Sequence, residues 1–162
     1  MQTVKSLIGA AAIAMLPFAA EAAGNHAGGH HDEMAIGAPG KAAEASRTIA
    51  VSMRETDDGA MIFEPSRIEV GAGETVRLAI TNDGETEHEF VMDGMDEIQE
   101  HKALMEKFPE MEHDDPNAVR LQPGESGEIV WTFGEAGDFE FACLIPGHYE
   151  SGMHGPLVVS KN

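Results

Sequence analysis

The chain has 162 residues, 42% of them apolar and 24% charged, which excludes wholesale disorder and suits one domain with short tails. Lys plus Arg total 10 against 29 Asp plus Glu, a formal net charge of -19, so phosphate backbones and anionic headgroups are repelled and a nucleic-acid-binding role is disfavoured. There are 10 Met, 8 His and one Cys, so an intramolecular disulfide is impossible.

Residues 1–23 read as a signal peptide. Lys5 supplies the positive start, Ser6 to Ala20 the apolar stretch, and Ala20-Glu21-Ala22 a small-x-small site with cleavage expected near Ala22-Ala23. An uncleaved anchor helix is the alternative, but the stretch is shorter than the ~20 residues that span a bilayer, and Pro17 interrupts it. The expected location is the periplasm, with no membrane insertion of the mature chain. In that oxidising space an unprotected thiol would be oxidised, so Cys143 is expected to be buried or held by a metal.

Residues 24–46 are rich in Gly and Ala, carry His26, His30, His31 and Met34, and show no apolar period; a flexible tail is expected. From Arg47 short alternations begin, separated by turn residues. Thr48 to Met53, Met61 to Phe63, Ile68 to Val70, Thr75 to Ile80, Glu128 to Phe133, Asp138 to Ala142 and Leu157 to Val159 predict an antiparallel β-sandwich over 47–162. One segment breaks the rhythm. Met95, Ile98, Met105 and Phe108 lie near helical spacing and Pro109 follows, predicting a short helix inserted between strands. It belongs to a strongly acidic stretch, Asp93 to Asp115.

Four residues carry the chemistry. His88 stands after an alternating strand, and Cys143, His148 and Met153 follow as Cys-x4-His-x4-Met. A copper ion cycling between two oxidation states favours one soft thiolate, two imidazoles and a weak thioether, and these are the residue types present. Pro146-Gly147 and Gly152 supply turn chemistry for so tight a loop. Taken singly, a His is more often structural or solvated and a Met more often core filler. Zinc also accepts Cys and His, but a fourth Met favours copper.

Phe63-x-Pro65-x-x-Ile68-x-Val70-x-x-Gly73-x-x-Val76, then Asn82, His88-Glu89-Phe90 and the Cys143–Met153 motif resemble the cupredoxins, the blue-copper proteins. The Cys-to-His spacing differs from that of plastocyanin, is closer to azurin and is most similar to auracyanin; the tail and acidic insert resemble periplasmic copper-resistance cupredoxins. The resemblance implies an all-β, Greek-key sandwich and a type 1 copper held by His88, Cys143, His148 and Met153. In plastocyanin and azurin an Asn follows the first His and helps lock the Cys loop; here Glu89 stands there.

Such a centre moves one electron and has nowhere to activate a substrate, so a non-enzyme acting in copper tolerance and electron transfer is expected. Ala142 and Leu144 flank Cys143 where copper nitrite reductases and multicopper oxidases carry an adjacent His, and no His-x-His occurs. A dedicated carrier between respiratory redox partners, a small Cu(I) oxidase and a structural adaptor are the alternatives. The partners expected are copper ions and a basic redox protein such as a cytochrome, steered by the acidic surface. Additional copper sites are possible in the tail and in the insert, where Met92, Met95, His101, Met105, Met111 and His113 gather. For the insert, core packing is the stronger explanation of methionines at helical spacing.

Overall fold

A computed structural model describes residues 34–109 and 115–161. Among them, ten strands build two sheets. The first contains β1 (Gly37–Pro39), β2 (Arg47–Glu55), β3 (Met61–Glu64), β5 (Thr75–Asn82) and β8 (Ser126–Phe133), in the order β1-β8-β5-β2-β3. The second contains β4 (Ile68–Gly71), β6 (His88–Asp93), β7 (Ala118–Leu121), β9 (Gly137–Ala142) and β10 (His154–Ser160), in the order β4-β10-β9-β6-β7. Inward-facing residues of both sheets make one core, with Trp131, Leu78 and Met53 fully buried. Near one end Phe63, Phe90 and Phe141 meet with ring centroids 5.1 to 5.7 Å apart.

The sandwich is mixed rather than purely antiparallel. β2 pairs parallel with β5, and β4 parallel with β10. After β3 the chain leaves the first sheet, contributes β4 to the second and returns as β5 in the direction of β2. Such a crossover between sheets permits parallel neighbours where a hairpin would not.

The segment expected as a tail is partly built into the fold. Residues 34–46 of it are described, and there Gly37–Pro39 pairs antiparallel with Phe133–Trp131 of β8. Ile36 is fully buried, and its carbonyl accepts the Trp131 indole N–H at 3.2 Å. Three residues are too few to show an alternation, which is why this edge strand leaves no periodic signal. His26, His30 and His31, like the expected signal peptide, lie outside the described residues.

The inserted helix α1 (Met95–Lys107) occupies the expected stretch, with acidic Asp96 and Glu97 in its first turn and Lys107 in its last, each complementing the helix dipole. Of the four apolar residues read near helical spacing, only Ile98 and Met105 are buried; Met95 and Phe108 are more than half exposed. Met95 opens the first turn and Phe108 is the C-cap, where the backbone has left helical geometry. Ile98 and Met105 join Val91, Ala142 and Leu144 in a second apolar cluster on the outer side of β6 and β9. No helix among the described residues is long and apolar enough to cross a membrane.

Candidate metal centre

His88 follows the alternating strand β5 and is the first residue of β6. Residues 88–92 are all buried, because the sandwich core covers one face of β6 and the α1 cluster the other. A strand covered on both faces does not alternate. β9 runs directly into Cys143, and β10 starts immediately after Met153, so the loop 143–153 closes one end of the second sheet.

That loop is tied by its own backbone. The Cys143 N–H donates to the Met153 carbonyl at 3.0 Å, the Met153 N–H to the His148 carbonyl at 3.1 Å, and the His148 N–H to the Ile145 carbonyl at 3.0 Å. Gly147 and Gly152 have φ of 89° and 97°, a region L side chains rarely adopt, which explains glycine at both turns.

The resulting geometry brings three donors together. His148 Nδ1 lies 3.3 Å from His88 Nδ1 and 3.3 Å from Cys143 Sγ, and one atom from each residue fits within a 4.8 Å span. An ion at ~2.0–2.3 Å from each nitrogen and sulfur needs donors of about that mutual spacing. The residues therefore fit a soft, imidazole-accepting metal, and among the described residues this is the one such group of His, Cys and acidic side chains. Met153 is fully buried next to this trio in the chain fold, its backbone bonded to both Cys143 and His148.

Surrounding groups orient the donors. The Glu89 N–H donates to Cys143 Sγ at 3.3 Å, so the backbone of the residue after His88 supports the sulfur although the side chain is not Asn. His88 Nε2 lies 3.1 Å from Glu55 Oε1, leaving Nδ1 toward the sulfur. The Glu55 carboxylate accepts from the backbone N–H groups of Glu85 (2.8 Å) and Thr86 (3.0 Å) and from the Thr86 hydroxyl. Gly84 keeps space for it, because a Cβ there would fall 2.4 Å from Glu55 Oε2. Asn82, fully buried, donates from Nδ2 to the Thr86 and Leu121 carbonyls and accepts from the Gly84 N–H, fixing the turn before His88.

Burial pushes the Cys143 thiol up to about 12, against the backbone N–H groups of Glu89 and Ile145, which favour thiolate. Burial also lowers both His88 and His148, the latter lowered further by its neighbour His88. Burial works to raise Glu55, but the hydrogen bonds from Thr86 and Glu85 outweigh it and hold the carboxyl at about 2. In the pocket, burial thus favours the neutral thiol and the neutral imidazoles, while hydrogen bonds keep Glu55 a carboxylate. A metal entering it must displace the thiol proton.

Residues 50–160 match the family model described as copper binding proteins, plastocyanin/azurin family. The chain belongs to this family. It is a cupredoxin, and its cofactor is copper. It is 52% identical over 136 residues to the copper-resistant cuproprotein CopI of Rubrivivax gelatinosus, covering 83% of this chain and 80% of that one. It is 39% identical over 154 residues to the CopI of Pseudomonas aeruginosa, covering 77% and 82%. Among solved structures, reduced auracyanin from Roseiflexus castenholzii shares its fold with a TM-score of 0.59 at 24% identity, covering 72% of this cupredoxin and 98% of the auracyanin.

Among the described residues, the other sequence candidates are not gathered with the trio. Met92 is fully buried in the main core and Met105 in the separate outer cluster, so both serve packing. Met95 is exposed on α1, His101 is half-buried, and Met34 packs against the core. Met111 and His113 lie outside the described residues. Glu55 and Asn82 have site roles of their own. Asn82 belongs to the family-like pattern already read in the sequence, whereas Glu55 is one acid among 29 and carries no distinguishing signal.

Proposed function

We propose that His88, Cys143 and His148 hold one copper ion with Met153 as the weak fourth ligand, and that this cupredoxin works in periplasmic copper tolerance by passing single electrons. The convergence of Cys143 Sγ and two imidazole Nδ1 atoms carries the ligand assignment. The similarity to proteins named as copper-resistant cuproproteins, over four-fifths of their length, supports the tolerance role. Copper bound there supplies one-electron redox chemistry.

The chain's own residues set the conditions for that chemistry. Strands β6 and β9 fix His88 and Cys143, and the backbone bonds of the loop fix His148, so little needs to rearrange when charge changes. His148 is half-buried beside exposed Pro146 and Gly147, which makes its ring the route for electrons. The net charge of -19 draws basic partners, a cytochrome-like protein among them, and weakens that attraction as salt rises. The function needs no substrate pocket, and the role is that of a carrier rather than an enzyme.

Two assays test the reading. A strain lacking this gene should regain growth on copper with the wild-type chain and fail with Cys143→Ser at equal protein level. Equal rescue by the variant would remove the centre from copper tolerance. Reduction of the copper-loaded protein by a basic cytochrome should slow as ionic strength rises, and a rate independent of salt would contradict the steering.

A further inference from the structure

Beside the copper loop lies a second set of contacts that the centre itself does not use. Glu140, on β9, is buried, and its carboxylate accepts the Tyr149 hydroxyl at 3.1 and 3.2 Å. The same carboxylate lies 3.0 Å from His154 Nδ1. The Tyr149 and His154 rings stack with centroids 4.2 Å apart and planes 10° from parallel. In sequence, Tyr149 follows His148, His154 follows Met153, and Glu140 precedes Cys143 by three residues. One buried carboxylate thereby joins the sequence neighbours of two proposed ligands, His148 and Met153.

Helix α1 backs this arrangement. Gln99 Nε2 donates to the Tyr149 hydroxyl at 3.1 Å, and Lys102 Nζ sits 5.6 Å from the Tyr149 ring centroid. Lys102 also pairs with Glu150 at 2.6 Å. Ile98 and Met105, on the same side of the helix, pack with Ala142 and Leu144 on either side of Cys143, and Tyr149 packs against that cluster. A buried, hydrogen-bonded carboxylate with two ring partners is costly to open, since freeing any member strands a polar group.

We infer that Glu140, Tyr149 and His154 form a clasp, braced by α1, that positions the 143–153 loop and so fixes how Met153 and His148 stand relative to Cys143. The inference rests on the copper reading for its spectroscopic consequence, but its mechanical part concerns the chain alone. These three are positioning residues: they act through the ligands they adjoin. In a type 1 centre the axial distance controls the thiolate-to-copper charge-transfer bands and the potential, so loosening the clasp changes both.

The test uses the full chain, metal-free and loaded with Cu(II), as wild type, Tyr149→Phe and Glu140→Gln, with Leu78→Ala in β5 as a control that destabilises the far sheet. Tyr149→Phe keeps the ring stack and removes only the hydroxyl, so it keeps the fold. In the metal-free protein, amide exchange at Cys143, His148 and Met153 should accelerate about tenfold relative to Leu78 and Ile80 in both clasp variants. In the loaded protein, the relative intensities of the charge-transfer bands and the reduction potential should shift in both variants and stay at wild-type values in Leu78→Ala. Loop exchange unchanged in both variants, or a spectrum and potential moved equally by the control, overturns the clasp. If loaded wild type shows no thiolate-to-copper band, the copper reading has failed instead, and the exchange result decides the clasp by itself.

Discussion

The Glu55 carboxylate lies 3.1 Å from Nε2 of His88, on the side of the imidazole away from Cys143. This one contact orients the ring, holds the proton on Nε2 and places a fixed negative charge behind a proposed copper ligand. A negative charge there favours the more highly charged oxidation state. Glu55→Gln should therefore raise the reduction potential and weaken Cu(II) binding by about 10- to 100-fold, read by redox titration and competitive Cu(II) titration. An unchanged potential would show that the carboxylate does not act on the metal.

A second expectation concerns acid. The Arg47 guanidinium holds the Glu74 carboxyl at about 2, burial opposing it and the Gly71 N–H and Ser46 hydroxyl assisting. Unfolding returns the group to its ordinary 4.5, so its contribution is fully present above that pH and is lost as pH falls toward about 2. Glu74→Gln should cost on the order of 2 kcal/mol at neutral pH, with the difference from wild type shrinking below pH 4.5. Urea melts across this range check it, and a gap independent of pH would contradict it.

The N-terminal edge supplies a third. Ile36 is fully buried in the same core cluster as Trp131, so Ile36→Ala should destabilise the domain by about 2–4 kcal/mol in urea unfolding. A loss below ~0.5 kcal/mol would mean that the segment before Arg47 is dispensable.

How far the sequence carried depended on periodicity and chemistry. The alternating runs in β2, β5 and β8 were legible because each of these strands buries one face only. β6 was not, since both its faces are covered, and β1 was too short to repeat. The parallel pairings were invisible because they depend on which sheet a strand joins, a property of the whole chain. At the site, Cys143, His148 and His88 could be singled out because few residue types ligate metal and only one cysteine is present. Glu55, Glu140 and Tyr149 could not, because hydrogen bonding is open to most polar residues and only the fold brings these into place. Met95 and Phe108 mark the limit of helical spacing as a guide: the register fits, but the helix ends carry both side chains out to solvent.

The most direct measurement is a titration of the metal-free protein with Cu(II), followed by visible absorption, for wild type and Cys143→Ser. The account predicts an intense thiolate-to-copper band that saturates at about one equivalent in the wild type and is lost in the variant. A wild type that stays colourless, or a variant that keeps the band, would contradict it.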